Sequence, residues 1–261
     1  MLIDGLTHVT PDGRWFDTGV DASEDRLLRE MDDRRVERAI VVPMTGFIED
    51  EFVAGVCDRH PDRLIPAGSI NPGLYPGPGE AARAARERLA GSPARAVKLH
   101  PRLHRYDLLD PRCQAVLAEM AAWPRRPVVL LDSLLHYRGG VMAASLVDAI
   151  HAVVGRFPGL DFVILHAGGV WAPHLAQALS DCPNAVLDLS FTLKRYWGGP
   201  LIDELAVLLR RFDRRVVFGS DFPEIGIGEA LALMERICDG LAEAKRANIM
   251  GRTLDRLLAQ R

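Results

Sequence analysis

Residues 161–169 read Asp-Phe-Val-Ile-Leu-His-Ala-Gly-Gly. Phe162 to Leu165 are four consecutive large apolar residues. They show neither the alternation of a half-exposed strand nor the three-to-four spacing of an amphipathic helix. A short run of this kind, closed by glycines, reads as a strand covered on both faces, as in a parallel sheet. An imidazole, His166, stands where the strand ends. Seven other runs share this form: Leu2 to Val9, Ala39 to Met44, Leu64 to Asn71, Arg95 to His100, Pro127 to Ser133, Ala185 to Ser190 and Val216 to Ser220.

Helical patterns fill the intervals. Ser23 is an N-cap for a stripe of Leu27, Leu28, Met31 and Val36. Asp110-Pro111 opens a second helix, with Asp as cap and Pro at the first helical position. Leu146, Ile150 and Val153 mark a third; Leu201, Leu205, Leu208, Leu209 and Phe212 mark a fourth. Pro173 and Gly226 precede two more. These stripes are core-facing surfaces. Strand and helix alternating eight times in 261 residues predict an α/β chain with a parallel sheet, a (β/α)8 TIM barrel in one domain spanning residues 1–261. The doubly wound open sheet would carry G-x-G-x-x-G after its first strand; Thr7-His8-Val9-Thr10-Pro11 stands there instead. Asn71 to Gly79, rich in Pro and Gly, reads as a loop.

Thirty-two basic and thirty-five acidic residues give a net charge of −3, which excludes the basic footprint of a nucleic-acid binder. No apolar run approaches the ~20 residues of a membrane span. Cys57, Cys113, Cys182 and Cys238 form no C-x-x-C pair and read as reduced thiols. Met1-Leu2-Ile3-Asp4 lacks the basic start of a secretion signal, so the expected location is cytoplasmic.

A barrel builds its active site from the C-terminal ends of its strands. His8 ends the first run, Asn71 the third, His100 the fourth (which also carries Lys98), Asp132 the fifth, His166 the sixth and Asp221 the eighth. Any one of these has a bland reading, as a hydrogen-bonded structural histidine or a helix cap. Ionisable groups at the ends of several buried runs need mutual satisfaction, and their joint occurrence points to a site. His, His and Asp on different strands suit either a divalent ion that activates water or a metal-free acid–base set. His60, His151 and His174 read as structural or surface residues; His104 and His136 stay as substrate-contact candidates.

These strand ends carry a resemblance. Asp4-Gly5-Leu6-Thr7-His8, Val97-Lys98-Leu99-His100-Pro101, His166-Ala167-Gly168-Gly169, Phe218 to Pro223, and Asn248-Ile249-Met250-Gly251 with Arg256-Leu257-Leu258 form an ordered set. In this set the chain resembles the amidohydrolase superfamily, in its amidohydrolase-related branch of aminocarboxymuconate semialdehyde decarboxylase-like and lactonase-like TIM barrels. The resemblance implies a hydrolase of lactones, amides or esters, or a decarboxylase. It also implies a zinc held by two first-strand histidines, a fifth-strand histidine and the eighth-strand Asp. Here Leu6 and Leu131 stand at two of those positions, and His8 and Asp221 remain.

Three readings follow. In one, His8, His166 and Asp221 hold zinc or manganese, with Asp132 replacing the lost histidine. In another no metal binds, as in some lactonase-like relatives. Asp221 is then the general base, and His8, Lys98, His100 and His166 polarise the substrate carbonyl. In the third the barrel is catalytically degenerate and binds a small anionic ligand or a partner protein. Arg102, Arg138 and Arg195, with Lys194 and Arg105, lie in loops after the strands and suit a carboxylate. Asn71 and Asp132 join them as substrate contacts. Tyr106, Tyr137, Tyr196 and Trp197 are candidates to flank a planar group; Trp15 and Phe16 either wall the pocket or cover the barrel. The expected partner is a small anionic substrate, and similar enzymes add a homodimer by analogy.

Overall fold

The computed structural model describes residues 1–134 and 145–259. Its eight parallel strands follow one another around a barrel: β1 (Ile3–Thr7), β2 (Arg38–Val41), β3 (Leu64–Ser69), β4 (Ala96–Leu99), β5 (Val128–Asp132), β6 (Phe162–Leu165), β7 (Ala185–Asp188) and β8 (Val216–Val217). Seven lie within the apolar runs, and β2 starts one residue before its run, at Arg38. Consecutive strands pair in parallel register, with Lys98 opposite Leu130, and Asp132 opposite Leu165. No helix among the described residues is long and apolar enough to cross a membrane.

The runs are largely apolar because both faces are covered. Ala96, Leu130, Val163, Val186 and Val217 fill the barrel interior, closed off by Leu254, Leu257 and Leu258 of the C-terminal helix. Their neighbours Val97, Val129, Phe162, Leu187 and Val216 pack outward against the helices. The pleat therefore also turns Lys98 and Asp132 inward, since side chains two apart share a face.

The expected caps form. Ser23 accepts the Arg26 N–H at the start of the helix Glu24–Arg34, and Asp110 accepts that of Arg112 at the start of the helix Pro111–Ala122. Val36 lies beyond the end of the first helix, and Pro173 sits inside the first turn of the helix Ala172–Ala178. The stretch 71–79 is part turn and part helix: Pro72–Leu74 is one 3-10 turn, and Pro78 already opens the helix Pro78–Gly91. The sequence reading also passes over a two-stranded ribbon, Arg14–Trp15 against Val20–Asp21, in the loop after β1.

The barrel closes between β1 and β8. Gly5 N–H donates to Phe218 O (2.9 Å), Asp221 N–H to Leu6 O (3.0 Å) and His8 N–H to Phe222 O (2.7 Å). Asp4 Oδ1 accepts the Ser220 N–H across the same seam at 2.9 Å. A Cβ on Gly219 would lie 2.7 Å from Asp188 Oδ1 and 3.3 Å from Leu6 Cβ, so only glycine lets β8 pass this buried carboxylate. Gly219→Ala should cost about 2 kcal/mol by overpacking and lower Tm by roughly 5 °C. The control Gly155→Ala, in a helix with open space around it, should hold or raise Tm. Thermal denaturation of the two variants checks both outcomes.

Candidate active site

The β4, β5 and β6 ends meet β1 and β8 at the C-terminal mouth. His8, Lys98, His100, Asp132, His166 and Asp221 are all buried there, as are Asp188 and Ser190 from the end of β7.

His8 is fixed by its Nδ1, which lies 2.6 Å from Val42 O. A carbonyl oxygen only accepts, so Nδ1 carries the proton and the Nε2 lone pair faces inward. Lys98 Nζ lies 3.3 Å from that Nε2, and Asp221 Oδ1 4.0 Å away. Burial and the adjacent Lys98 hold the His8 pKa well below the usual histidine value, so the ring is neutral. Burial also lowers the Lys98 pKa, against the pull of Asp132 and Asp221. Burial raises that of Asp221, with His166 and Lys98 opposing it.

His166 opens a turn of four consecutive left-handed residues through Gly169. Asp188 Oδ2 accepts its N–H at 3.1 Å, Thr192 donates to its carbonyl at 2.6 Å, and Gly168 N–H donates to Ser133 Oγ at 2.7 Å. The turn aims the ring between two carboxylates. Nε2 lies 3.4 Å from Asp132 Oδ2, and Nδ1 3.0 Å from Ser190 Oγ, whose hydroxyl donates to Asp188. Burial works against a charged ring, but Asp221 and Asp132 outweigh it and raise its pKa. For Asp132, burial opposes ionisation, while His100, His166 and Arg102 hold the carboxyl well below the ordinary range. The pair thus favours a proton on the His166 ring and a carboxylate on Asp132. His100 Nδ1 lies 3.5 Å and Arg102 Nε 3.6 Å from Asp132 Oδ1. Among the described residues neither oxygen of Asp132 has a formed hydrogen bond.

The sequence expectations sort unevenly against this geometry. His8, Lys98, His100, Asp132, His166 and Asp221 come together, with Arg102 at the rim. Asn71 Oδ1 accepts the Gly73 N–H at 2.9 Å and caps the turn after β3. Leu131 is a correction. It packs outward among the helices, and Asp132 is the inward residue at that strand end. Leu6 does face the interior. Lys194 is ion-paired with Glu229, and Arg195 is exposed. Tyr106 is buried in the helix layer, and Trp197 lies under Arg236. His136, Tyr137 and Arg138 lie outside the described residues. Trp15 walls the mouth: it stacks on His8 (5.4 Å, 22°) and donates to Glu224 at 2.7 Å.

Asp188 and Ser190 lie outside the sequence reading, in which Asp4 enters only as the first residue of a motif. Asp188 and Ser190 stand two and four residues beyond inward Val186 on the seventh run, and that period was the available signal. A cleft between the helices Pro78–Gly91 and Pro111–Ala122 includes Arg95 and Pro127, at the opposite ends of the strands, and none of the mouth residues.

A family model described as Amidohydrolase matches residues 3–253. No curated protein matches the sequence. Among solved structures, an uncharacterised TIM-barrel protein of Bordetella bronchiseptica is 20% identical, with 99% of this chain and 98% of that one covered and a TM-score of 0.77. A probable 2-pyrone-4,6-dicarboxylic acid hydrolase of Acinetobacter baumannii, with citric acid bound, is 16% identical over 99% of both chains, with a TM-score of 0.70. A dihydroxybenzoic acid decarboxylase of Polaromonas sp. JS666, with bound manganese and an inhibitor, is 14% identical over 99% of this chain and 96% of that one, with a TM-score of 0.66.

The donor set at this mouth does not fit a resident divalent ion. A catalytic site needs three good ligands and an open position. His8 Nε2 and Asp221 are available, but His166 Nδ1 faces Ser190 Oγ and its Nε2 faces the Asp132 carboxylate at 3.4 Å, Leu6 has no donor, and the Lys98 ammonium stands beside His8 Nε2. Among the described residues, no three His, Cys, Asp or Glu ligand atoms at the mouth lie within 4.8 Å of one another.

Asp4 supplies a pH test. It is buried, with Oδ2 unpartnered among the described residues. Burial pushes its pKa from 3.8 to about 7, against its hydrogen bonds to Ser220 and Leu6. An acid whose pKa is raised on folding contributes most below its unfolded pKa, and that contribution is lost as pH rises through the folded one. Wild-type Tm should therefore fall between about pH 4 and about pH 7. Asp4→Asn keeps the acceptor and removes the ionisation, and it should flatten that fall in thermal scans across the range.

Proposed function

We propose, from the premise that the chain belongs to the amidohydrolase family, that it is a hydrolase of small carboxylated lactones, esters or amides, working by acid–base chemistry without a resident metal. Membership makes it an enzyme of the hydrolase or lyase kind; the choice of hydrolysis rests on the mouth. One observation carries the reading: the Lys98 ammonium at 3.3 Å from a His8 whose tautomer Val42 fixes. It supplies a built-in positive charge beside the carboxylate of Asp221.

In this reading the substrate carbonyl oxygen faces Lys98 and the charged His166. Asp221, whose raised pKa makes it the better base, takes a proton as water adds to the carbonyl carbon. The C=O electron pair moves onto oxygen, where the two cations stabilise it. When the pair returns, the bond to the leaving group breaks and Asp221 returns the proton to it. Asp132 does not act as the base, because its carboxylate is held ionised between His100, His166 and Arg102. Arg102, at the rim with a third of its side chain exposed, meets the substrate carboxylate in this reading. The hydrolase relative crystallised with citric acid supports that substrate class.

The test is a screen of carboxylated lactones, esters and amides. Asp221→Asn should lower kcat at least 100-fold, the general-base range, and Lys98→Met about 100- to 1000-fold, as for a lost oxyanion donor. A chelator should leave the wild-type rate unchanged. Rates that vanish with the chelator would overturn the metal-free chemistry. Tight carboxylate binding without turnover, equal in wild type and Asp221→Asn, would make the barrel a binding protein.

A further inference from the structure

A second cluster of ligating groups lies away from the mouth. His151 is on the helix Leu146–Arg156. Asp181 and Cys182 are in the turn between the helix Ala172–Ala178 and β7, at the end of the barrel opposite the mouth. His151 Nε2 is 3.7 Å from Asp181 Oδ1, and Cys182 Sγ is 3.6 Å from the same oxygen. One ligand atom from each of the three residues lies within 4.8 Å of the other two. A tetrahedral ion with bonds of ~2.0 Å to N and O and ~2.3 Å to S has ligand–ligand edges of roughly 3.3–3.5 Å. Two edges of the cluster are already within a few tenths of an ångström of that shell.

The turn is also held in place from two sides. The Arg215 guanidinium donates to the carbonyls of Leu179 (2.6 Å), Ser180 (3.1 Å), Cys182 (2.7 Å) and Ala185 (3.1 Å). Asn184 Nδ2 donates to those of Val154 (3.3 Å), Phe157 (3.3 Å) and Leu160 (2.9 Å), at the end of the helix that carries His151. The two ligand-bearing segments are therefore fixed relative to each other before any ion arrives, which reduces the ordering cost of binding. Cys182 is a free, buried thiol whose hydrogen bond goes to Asp181.

We propose that His151, Asp181 and Cys182 form a site for a thiophilic divalent cation of the Zn²⁺ class, with the fourth position open to water. Mixed S, N and O donors suit such an ion better than Mg²⁺ or Ca²⁺. Binding releases the Cys182 thiol proton to solvent, and His151 binds as the neutral ring. The ion joins the helix Leu146–Arg156 to the turn before β7, so its effect falls on stability and not on turnover.

The test uses metal-free protein and Co²⁺ as a spectroscopic probe. One Co²⁺ per chain should give thiolate-to-metal charge-transfer absorption that Zn²⁺ removes by displacement. The band should be absent in Cys182→Ser and retained in Asp221→Asn, which separates this site from the mouth. Zn²⁺ at about a hundredfold over its Kd should raise wild-type Tm by roughly 5 °C or more. His151 is half exposed, so His151→Ala should keep the metal-free Tm and lose the Zn²⁺ shift. A missing band, a band that persists in Cys182→Ser, or a Zn²⁺ shift that persists in His151→Ala overturns the proposal.

Discussion

The seam between β1 and β8 is the constraint on which the rest of this barrel depends. β8 pairs regularly over two residues only, and the backbone then turns through Asp221 at a φ of 64°. Closure beyond that point rests on a few individual hydrogen bonds from Gly5, Leu6 and His8 to residues 218–222. These bonds bring the first strand's His8 to 4.0 Å from Asp221, near the other end of the chain. The seam leaves no room for a side chain at Gly219, and it buries Asp4 so that one oxygen reaches Ser220 N–H while the other has no partner among the described residues.

Burying so many ionisable groups would be prohibitive for each alone. They are tolerated because they are paired in a closed order. Asp188 supports Ser190, Ser190 faces His166, and His166 faces Asp132, which His100 and Arg102 flank. On the other side Lys98 faces a neutral His8, which the Val42 carbonyl holds in one tautomer. This ordering leaves Asp221 as the least covered of these buried carboxylates, with a raised pKa, and keeps Asp132 ionised. Two carboxylates, one at its strand end and one just beyond it, thus take different roles through their neighbours.

The site was partly legible before the fold was known. His8, Lys98, His100, Asp132, His166 and Asp221 stand out because each interrupts or ends an apolar run, and an ionisable group there must be answered by another. Asp188 and Ser190 carried the same signal in weaker form, inside a run whose inward period was not followed. Leu131 was misplaced because a linear match to the resembled pattern does not reveal which face a residue takes; one position along a strand reverses it. Tyr106 and Trp197 had plausible positions in sequence, yet packing in the helix layer claimed their side chains.

By itself the sequence determined the eight buried strands, their alternation with helices, and the concentration of polar residues at one end of them. That information is local: it follows from the spacing of apolar groups and from which residues cap and turn the chain. Only the tertiary structure decided which of those residues face one another, which ring nitrogen of His8 bears the proton, and that Lys98 stands 3.3 Å from the other one. It also decided that His151 should meet Asp181 and Cys182. These are contacts between segments far apart in the chain. Strand register, the pleat and the closing seam fix them, and none of the three can be read from a residue's immediate neighbours.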